Sequence, residues 1–304
     1  MTTSTRMTAQ NSPKAPLRTL VIVIAAALAQ FAPHLAQASA EPTAVPGGVL
    51  AVPVQPGSTV KFGKSDVLVE DDIAILGVGL KTKPGNYSLT ITSPGGFDYD
   101  LEFKVVFKQY PEQHLTIPDD RKVNPYKQDQ ARISREAIAQ RNQYARRTEP
   151  LGALRPFIQP TKGVVSSPFG RRRVLNGQPR NPHSGLDIAA PTGTPIVAPA
   201  PGTVTLTGDL FFNGNTVFVD HGNGLITMTC HMSEINVAEG DVVERNDLLG
   251  LVGATGRVTG PHLHWNVSLN GVRVDPQQAM AALADPSAEV SAASETTNQE
   301  QDAE

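Results

Sequence analysis

Four histidines and one aspartate form the pattern in this sequence that chemistry would select: His183, Asp187, His231, His262 and His264. The first pair lies in His183-Ser184-Gly185-Leu186-Asp187, flanked by Pro182 and Pro191. Those prolines and the internal glycine argue against a helix, so the two side chains must converge from a loop that leads into a strand. In Gly260-Pro261-His262-Leu263-His264-Trp265 the two-residue period of a strand puts both imidazoles on one face and Leu263 in the core. His231 follows the strand-like run Leu225 to Met228, and alternation places Cys230 on the face opposite His231, away from any shared metal. A single strand histidine is usually structural, and an isolated H-x-H or H-x-x-x-D arises by chance. Together, two histidines and one aspartate supply the three protein ligands of an open catalytic zinc site, and two more histidines remain as acid, base or oxyanion donor.

The composition narrows what else could hold such a metal. The chain has 304 residues and one cysteine, so neither a disulfide framework nor a Cys-rich zinc module is available. Any metal site must use histidine and carboxylate. With 39% hydrophobic residues the chain can bury one or two cores, and 26 glycines with 25 prolines point to many turns between short strands. Residues 1–40 read as a secretory leader: Arg6, Lys14 and Arg18, then an apolar run from Leu20 to Ala29, then Ala38-Ser39-Ala40. That run is about half the ~20 residues a membrane span needs, so export, cleavage after Ala40 and no stable membrane anchor are expected. Residues 121–180 hold 14 basic and 3 acidic side chains, without the aromatic interleaving of a nucleic-acid surface, and no nucleic-acid partner is expected. Residues 285–304 hold six acids and no base and read as a disordered solvated tail.

The elements that must position the histidines are mostly strands. The fold class expected is mostly β: a small N-terminal β-sandwich, one amphipathic connecting helix and a C-terminal antiparallel β-sheet domain. Short β-rich runs (49–54, 67–69, 73–78, 87–92 and 101–107) alternate with Pro-Gly turns and build the sandwich over 45–112. A stretch free of Gly and Pro, 129–147, predicts the helix inside a linker spanning 113–159. Strand signals return over 160–282, and a tail occupies 283–304. His114, near Pro111 and Pro118, reads as a surface histidine.

Over roughly Pro160 to Ala282 the sequence resembles the lysostaphin-like (LytM-type) zinc endopeptidases that cut peptides of bacterial peptidoglycan. The resemblance rests on Ser167-Pro168-Phe169-Gly170, on His183 to Asp187, and on Ala198-Pro199-Ala200-Pro201-Gly202-Thr203-Val204. It also rests on Asp220-His221-Gly222-Asn223-Gly224, Val252-Gly253-Ala254-Thr255-Gly256 and Gly260 to Trp265. The N-terminal β-domain and Tyr110 to Leu115 look like the accessory region of periplasmic Gram-negative members. The resemblance implies that His183, Asp187 and His264 bind zinc (Zn2+), that His231 and His262 assist catalysis, that His221 is structural, and that the partner is peptidoglycan. Relatives often carry Tyr where this chain has Thr229, so a donor to substrate or oxyanion is in question there. No H-E-x-x-H occurs, so a histidine must serve as the base. Two other readings are a non-catalytic wall-binding activator of other hydrolases and a secreted protease acting on proteins.

Overall fold

The computed structural model describes residues 41–285; the expected leader and most of the acidic tail lie outside the described residues. The alternating runs near the N-terminus do become strands. One sheet orders Thr43–Ala44, Asp98–Val105, Gly85–Thr92, Thr59–Phe62 and Ser65–Asp66; a second orders Val49–Pro53, Ile73–Gly77 and Leu68–Glu70. Leu50, Val52, Val60, Leu76, Leu89, Ile91 and Phe103 fill the space between them.

The larger sheet carries the histidines. Its antiparallel order is Val164–Ser167, Leu186–Ala189, His262–Leu269, Ile226–Met232, Gly214–Asp220, Gly202–Leu210 and Val242–Val243, with Val272–Val274 also paired to His262–Leu269. Asp187 pairs with His264 and Leu186 with Trp265; on the other side Cys230 pairs with His264 and Thr229 with Trp265. Directly opposed residues share a face. One face therefore carries Leu186, Ile188, Leu263, Trp265 and Val267 into the main core, and the other carries Asp187, His262, His264 and Asn266.

The connecting helix spans Gln130–Tyr144, shorter than the 129–147 expected. It ends where Tyr144 buries and the chain turns outward, so that Arg146 pairs with Asp220 at 3.1 Å and Arg147 donates to the carbonyls of Asp66 and Asn223. Tyr144 packs with Phe218, Ile226, Met228 and Cys230 on the site face of the sheet.

Two expected boundaries fall elsewhere. Within the expected linker, Glu112–Leu115 is a strand paired in parallel with Arg172–Leu175, and Leu154 and Phe157 belong to the main core. Leu283, expected to begin the tail, is fully buried and its carbonyl accepts the Phe157 N–H at 2.9 Å. The second small sheet also contributes to the main core through Leu68 and Ile75, so the described residues from Glu41 onward form one compact unit. Among the described residues no helix is long and apolar enough to cross a membrane.

Candidate active site

His183, Asp187 and His264 converge so that one ligand atom of each lies within 4.8 Å of the others. His264 Nδ1 is 2.6 Å and His183 Nε2 is 2.9 Å from Asp187 Oδ1, and the two nitrogens are 3.1 Å apart. Gly185 permits this approach: a Cβ there would sit 2.2 Å from Asn266 Oδ1 and 2.8 Å from His264 Cε1.

The far nitrogen of each imidazole meets an oxygen that can accept, which sets its tautomer. His183 Nδ1–H donates to the Pro168 carbonyl at 2.9 Å, and His264 Nε2–H donates to Asn266 Oδ1 at 2.9 Å. The inward nitrogens are then lone pairs, facing a carboxylate oxygen that is also a lone-pair donor. Three such atoms this close repel one another unless a cation stands among them. The donor set of two imidazoles and one carboxylate, with tautomers fixed from behind, suits a divalent metal.

His231 and His262 border this group. Their rings are 4.9 Å apart, His231 lies 5.8 Å from the His264 ring, and His262 Nε2 is 3.9 Å from Asp187 Oδ1. Their tautomers are fixed alike: His231 Nδ1–H donates to the Thr255 carbonyl and His262 Nδ1–H to the Gly260 carbonyl, each at 2.8 Å. Both Nε2 atoms are thereby left as acceptors.

Electrostatics hold the group in that state. Burial would raise the Asp187 carboxyl, but a proton on the inward nitrogen of His183 or His264 would donate to it, and that pull outweighs burial and keeps the group well below its usual range; a cation among the three atoms can take that proton's place. Burial, against the pull of Asp187, lowers His264 to about 4. Burial and then the neighbouring His262 and His264 push His231 well below its ordinary value.

Strict alternation fails at His231. The Ile226–Met232 strand bulges against Gly214–Asp220, where Asn215 opposes Met232 and Val217 opposes Thr229, and His231 adopts φ +65°. That bulge turns His231 onto the site face. Cys230, expected on the opposite face, instead shares the face of His264 and Asp187. It is 1% exposed, and burial followed by the Asp187 charge raises its thiol well above the ordinary value. Thr229 also corrects an expectation: it opposes Trp265 on the core face and its hydroxyl reaches the Val217 carbonyl at 3.5 Å. A side chain at 229 points away from the site, so the residue there cannot present a donor to substrate.

Three functional neighbours were not found from the sequence. Arg173 donates to Asp187 Oδ2 at 2.8 Å, leaving Oδ1 to face the imidazoles. Asn266 bridges His264 to the Tyr144 hydroxyl at 3.0 Å, so the connecting helix reaches the His264 imidazole through one amide. Strand parity offered a signal for two of them: Arg173 shares a face with buried Leu175, and Asn266 with His262 and His264. His221 stands apart, buried, donating from Nδ1 to the Pro201 carbonyl and accepting from the Thr227 hydroxyl, both at 2.8 Å. His114 is exposed beside Glu112.

Residues 181–276 match peptidase family M23. A Pseudomonas aeruginosa crystal structure assigned to peptidase M23 is 43% identical, with a TM-score of 0.64 over 78% of this chain and 95% of that one. The DD-carboxypeptidase/endopeptidase Mpg of Neisseria meningitidis is 44% identical over 112 residues, 37% of this chain and 26% of that protein. The peptidoglycan DD-endopeptidase ShyA of Vibrio cholerae is 40% identical over 133 residues, 43% of this chain and 31% of that protein. The chain belongs to peptidase family M23. Its matching region spans about a quarter to a third of the curated relatives' length.

Proposed function

We propose that this protein is an exported, zinc-dependent endopeptidase that hydrolyses peptide cross-links or stem peptides of bacterial peptidoglycan. The observation that carries the reading is the set of four tautomer-fixed imidazoles turned toward one carboxylate. Family membership, with relatives named for DD-endopeptidase activity, supports the substrate class. His183 Nε2, Asp187 Oδ1 and His264 Nδ1 would hold the metal. When bound, zinc supplies a Lewis acid for the scissile carbonyl and lowers the pKa of a bound water from 15.7 toward about 7.

The chain's own groups do the rest. His231 and His262 offer unprotonated Nε2 atoms within the same cleft, able to accept the proton released on attack and return it to the leaving amine. The backbone carbonyls of Thr255 and Gly260 hold each ring in that role and stabilise the imidazolium form when it arises. Arg173 keeps Asp187 ionised and oriented by occupying its outer oxygen.

Digestion of purified peptidoglycan, with mass analysis of the products and metal analysis of variants, tests the reading. New peptide ends are expected from the parent. His264→Ala should lose both zinc and hydrolysis. His231→Ala and His262→Ala should keep zinc and lose about 10²-fold or more in rate. A zinc-loaded parent that leaves the wall intact but stimulates another hydrolase would make it an activator; cleavage of proteins alone would make it a general protease.

A further inference from the structure

Beside the site stands a cation to which the described residues give no counter-ion. The guanidinium of Arg257 lies over the Phe212 ring, 4.7 Å from its centroid, and among the described residues it makes no hydrogen bond or ion pair. It is nevertheless firmly placed. Its backbone N–H donates to the Phe212 carbonyl at 2.8 Å. Two residues earlier, the Thr255 carbonyl holds His231 Nδ1; one residue after Phe212, the Asn213 carbonyl accepts the His231 backbone N–H at 2.9 Å. The two segments meet closely at Gly214, where a Cβ would lie 2.2 Å from Thr255 Oγ1. Arg257 is therefore fixed by the same two loops that fix His231.

The charges around it are of its own sign. Burial, then the positive charges of Arg173 and Arg180, lower Arg257 to about 10. Arg173 already has Asp187 as its partner. Among the described residues Arg180 is held only by neutral acceptors: Gln178 Oε1 at 2.6 Å, Asn124 Oδ1 at 3.3 Å and the carbonyls of Val123 and Pro179. A half-buried guanidinium facing two others weakens the fold, since the charge loses water and gains no carboxylate. Its planar fork of donors is matched by a carboxylate, which it can hold through two parallel hydrogen bonds.

We propose that Arg257 is a substrate-binding residue that takes a free carboxylate of the peptide next to the scissile bond, making the cleft selective for acidic peptides over neutral ones. The inference rests on the endopeptidase reading and specifies its substrate class. The anion supplied by substrate completes a pairing that the described residues do not provide, next to the histidines that would act on the neighbouring amide.

The test uses zinc-loaded full-length protein and two synthetic cross-linked stem peptides, identical except that one carries free carboxylates and the other carboxamides. The parent should prefer the carboxylate form by tenfold or more in kcat/KM. Arg257→Gln should lose about 10- to 100-fold on that form, mainly through KM, as expected for a charge-assisted hydrogen bond of about 1.5–3 kcal/mol. It should stay within about twofold of the parent on the carboxamide form, which never made that bond. Arg257→Lys, keeping the charge without the fork, should fall between. A rise in the parent's Tm with the carboxylate peptide, absent with the carboxamide, reads the same contact without turnover and does not depend on the variant folding. Equal treatment of both peptides by the parent, or equal losses on both in a folded variant, overturns the proposal. Failure of the parent to hydrolyse either peptide or intact peptidoglycan would instead overturn the endopeptidase reading.

Discussion

His221 gives a stability prediction that can be worked through. It is fully buried and neutral, donating to the Pro201 carbonyl and accepting from Thr227, and burial lowers its pKa from 6.5 to about 4. The unfolded chain protonates this ring near 6.5, whereas the folded chain resists protonation until about 4. The folded state therefore binds fewer protons between those values, and stability falls as pH falls. The contribution is fully present above pH 6.5 and shrinks through the window down to about pH 4. From the two pKa values the loss is about 2 kcal/mol at pH 5 and about 3 kcal/mol at pH 4, at 1.36 kcal/mol per unit. The perturbation is His221→Asn, which removes the titrating group. The variant should be less stable at pH 7 by about 1–3 kcal/mol, through imperfect replacement of two buried hydrogen bonds. Urea unfolding of parent and variant at pH 7, 5 and 4 measures the difference; the groups around Asp187 titrate alike in both chains and cancel. The stability gap should close as pH falls. Parallel decline of the two proteins from pH 7 to pH 4 would refute the argument that His221 is held neutral by burial.

The remaining predictions concern the sheet beneath the site. Cys230→Ala should retain zinc and most hydrolysis, and a thiol alkylating agent should leave the folded protein active while a chelator abolishes activity, because the thiol is buried and protonated; alkylation killing a chelator-resistant activity would point to a cysteine nucleophile instead. Tyr144→Phe leaves the Asn266 amide without its hydroxyl partner and should lower zinc affinity about 10-fold or more, as loss of a ligand's supporting hydrogen bonds does. Chelator competition measures that affinity, and in metal-free protein the imidazole 15N signals of His264 should show a mixed tautomer; an unchanged affinity and a pure Nε2–H form would make Tyr144 a packing residue.

The site was legible in the sequence where chemistry and local geometry coincide. Pro182, Gly185 and Pro191 left His183 and Asp187 no helix, and the two-residue period of His262-Leu263-His264 put two imidazoles on one face. His231 is instructive because a correct placement had an incomplete basis. Alternation assigns faces only to an unbroken strand, and the bulge that swings His231 over the site is fixed by pairing with Asn215 and Val217, residues remote in sequence. Cys230 takes the site face by the unbroken pairing of its strand with His264, and the irregularity that brings His231 to the same side begins one residue later. Arg173 was submerged in a run of three arginines, and only pairing with Glu112–Leu115 and contact with Asp187 distinguish it from its neighbours. Tyr144 sits 122 residues from Asn266, and no local pattern encodes that meeting.

The way the small sheet joins the large one bears on control. Leu68 and Ile75 lie in the same apolar cluster as Trp265, and the Asn270 amide accepts from the Gly77 N–H at 2.7 Å and donates to its carbonyl at 3.1 Å. Gln278 Oε1 accepts from the Val49 N–H at 3.0 Å. The N-terminal strands are thus the far wall of the enzyme's interior rather than a flap hung on a hinge. Swinging them aside would expose leucine, isoleucine and tryptophan to water and strip two backbone groups of Gly77, so a gate built from this sheet would have to melt part of the enzyme to open. A fragment beginning at residue 160 inherits the same exposed wall and should aggregate where the longer chain stays dispersed.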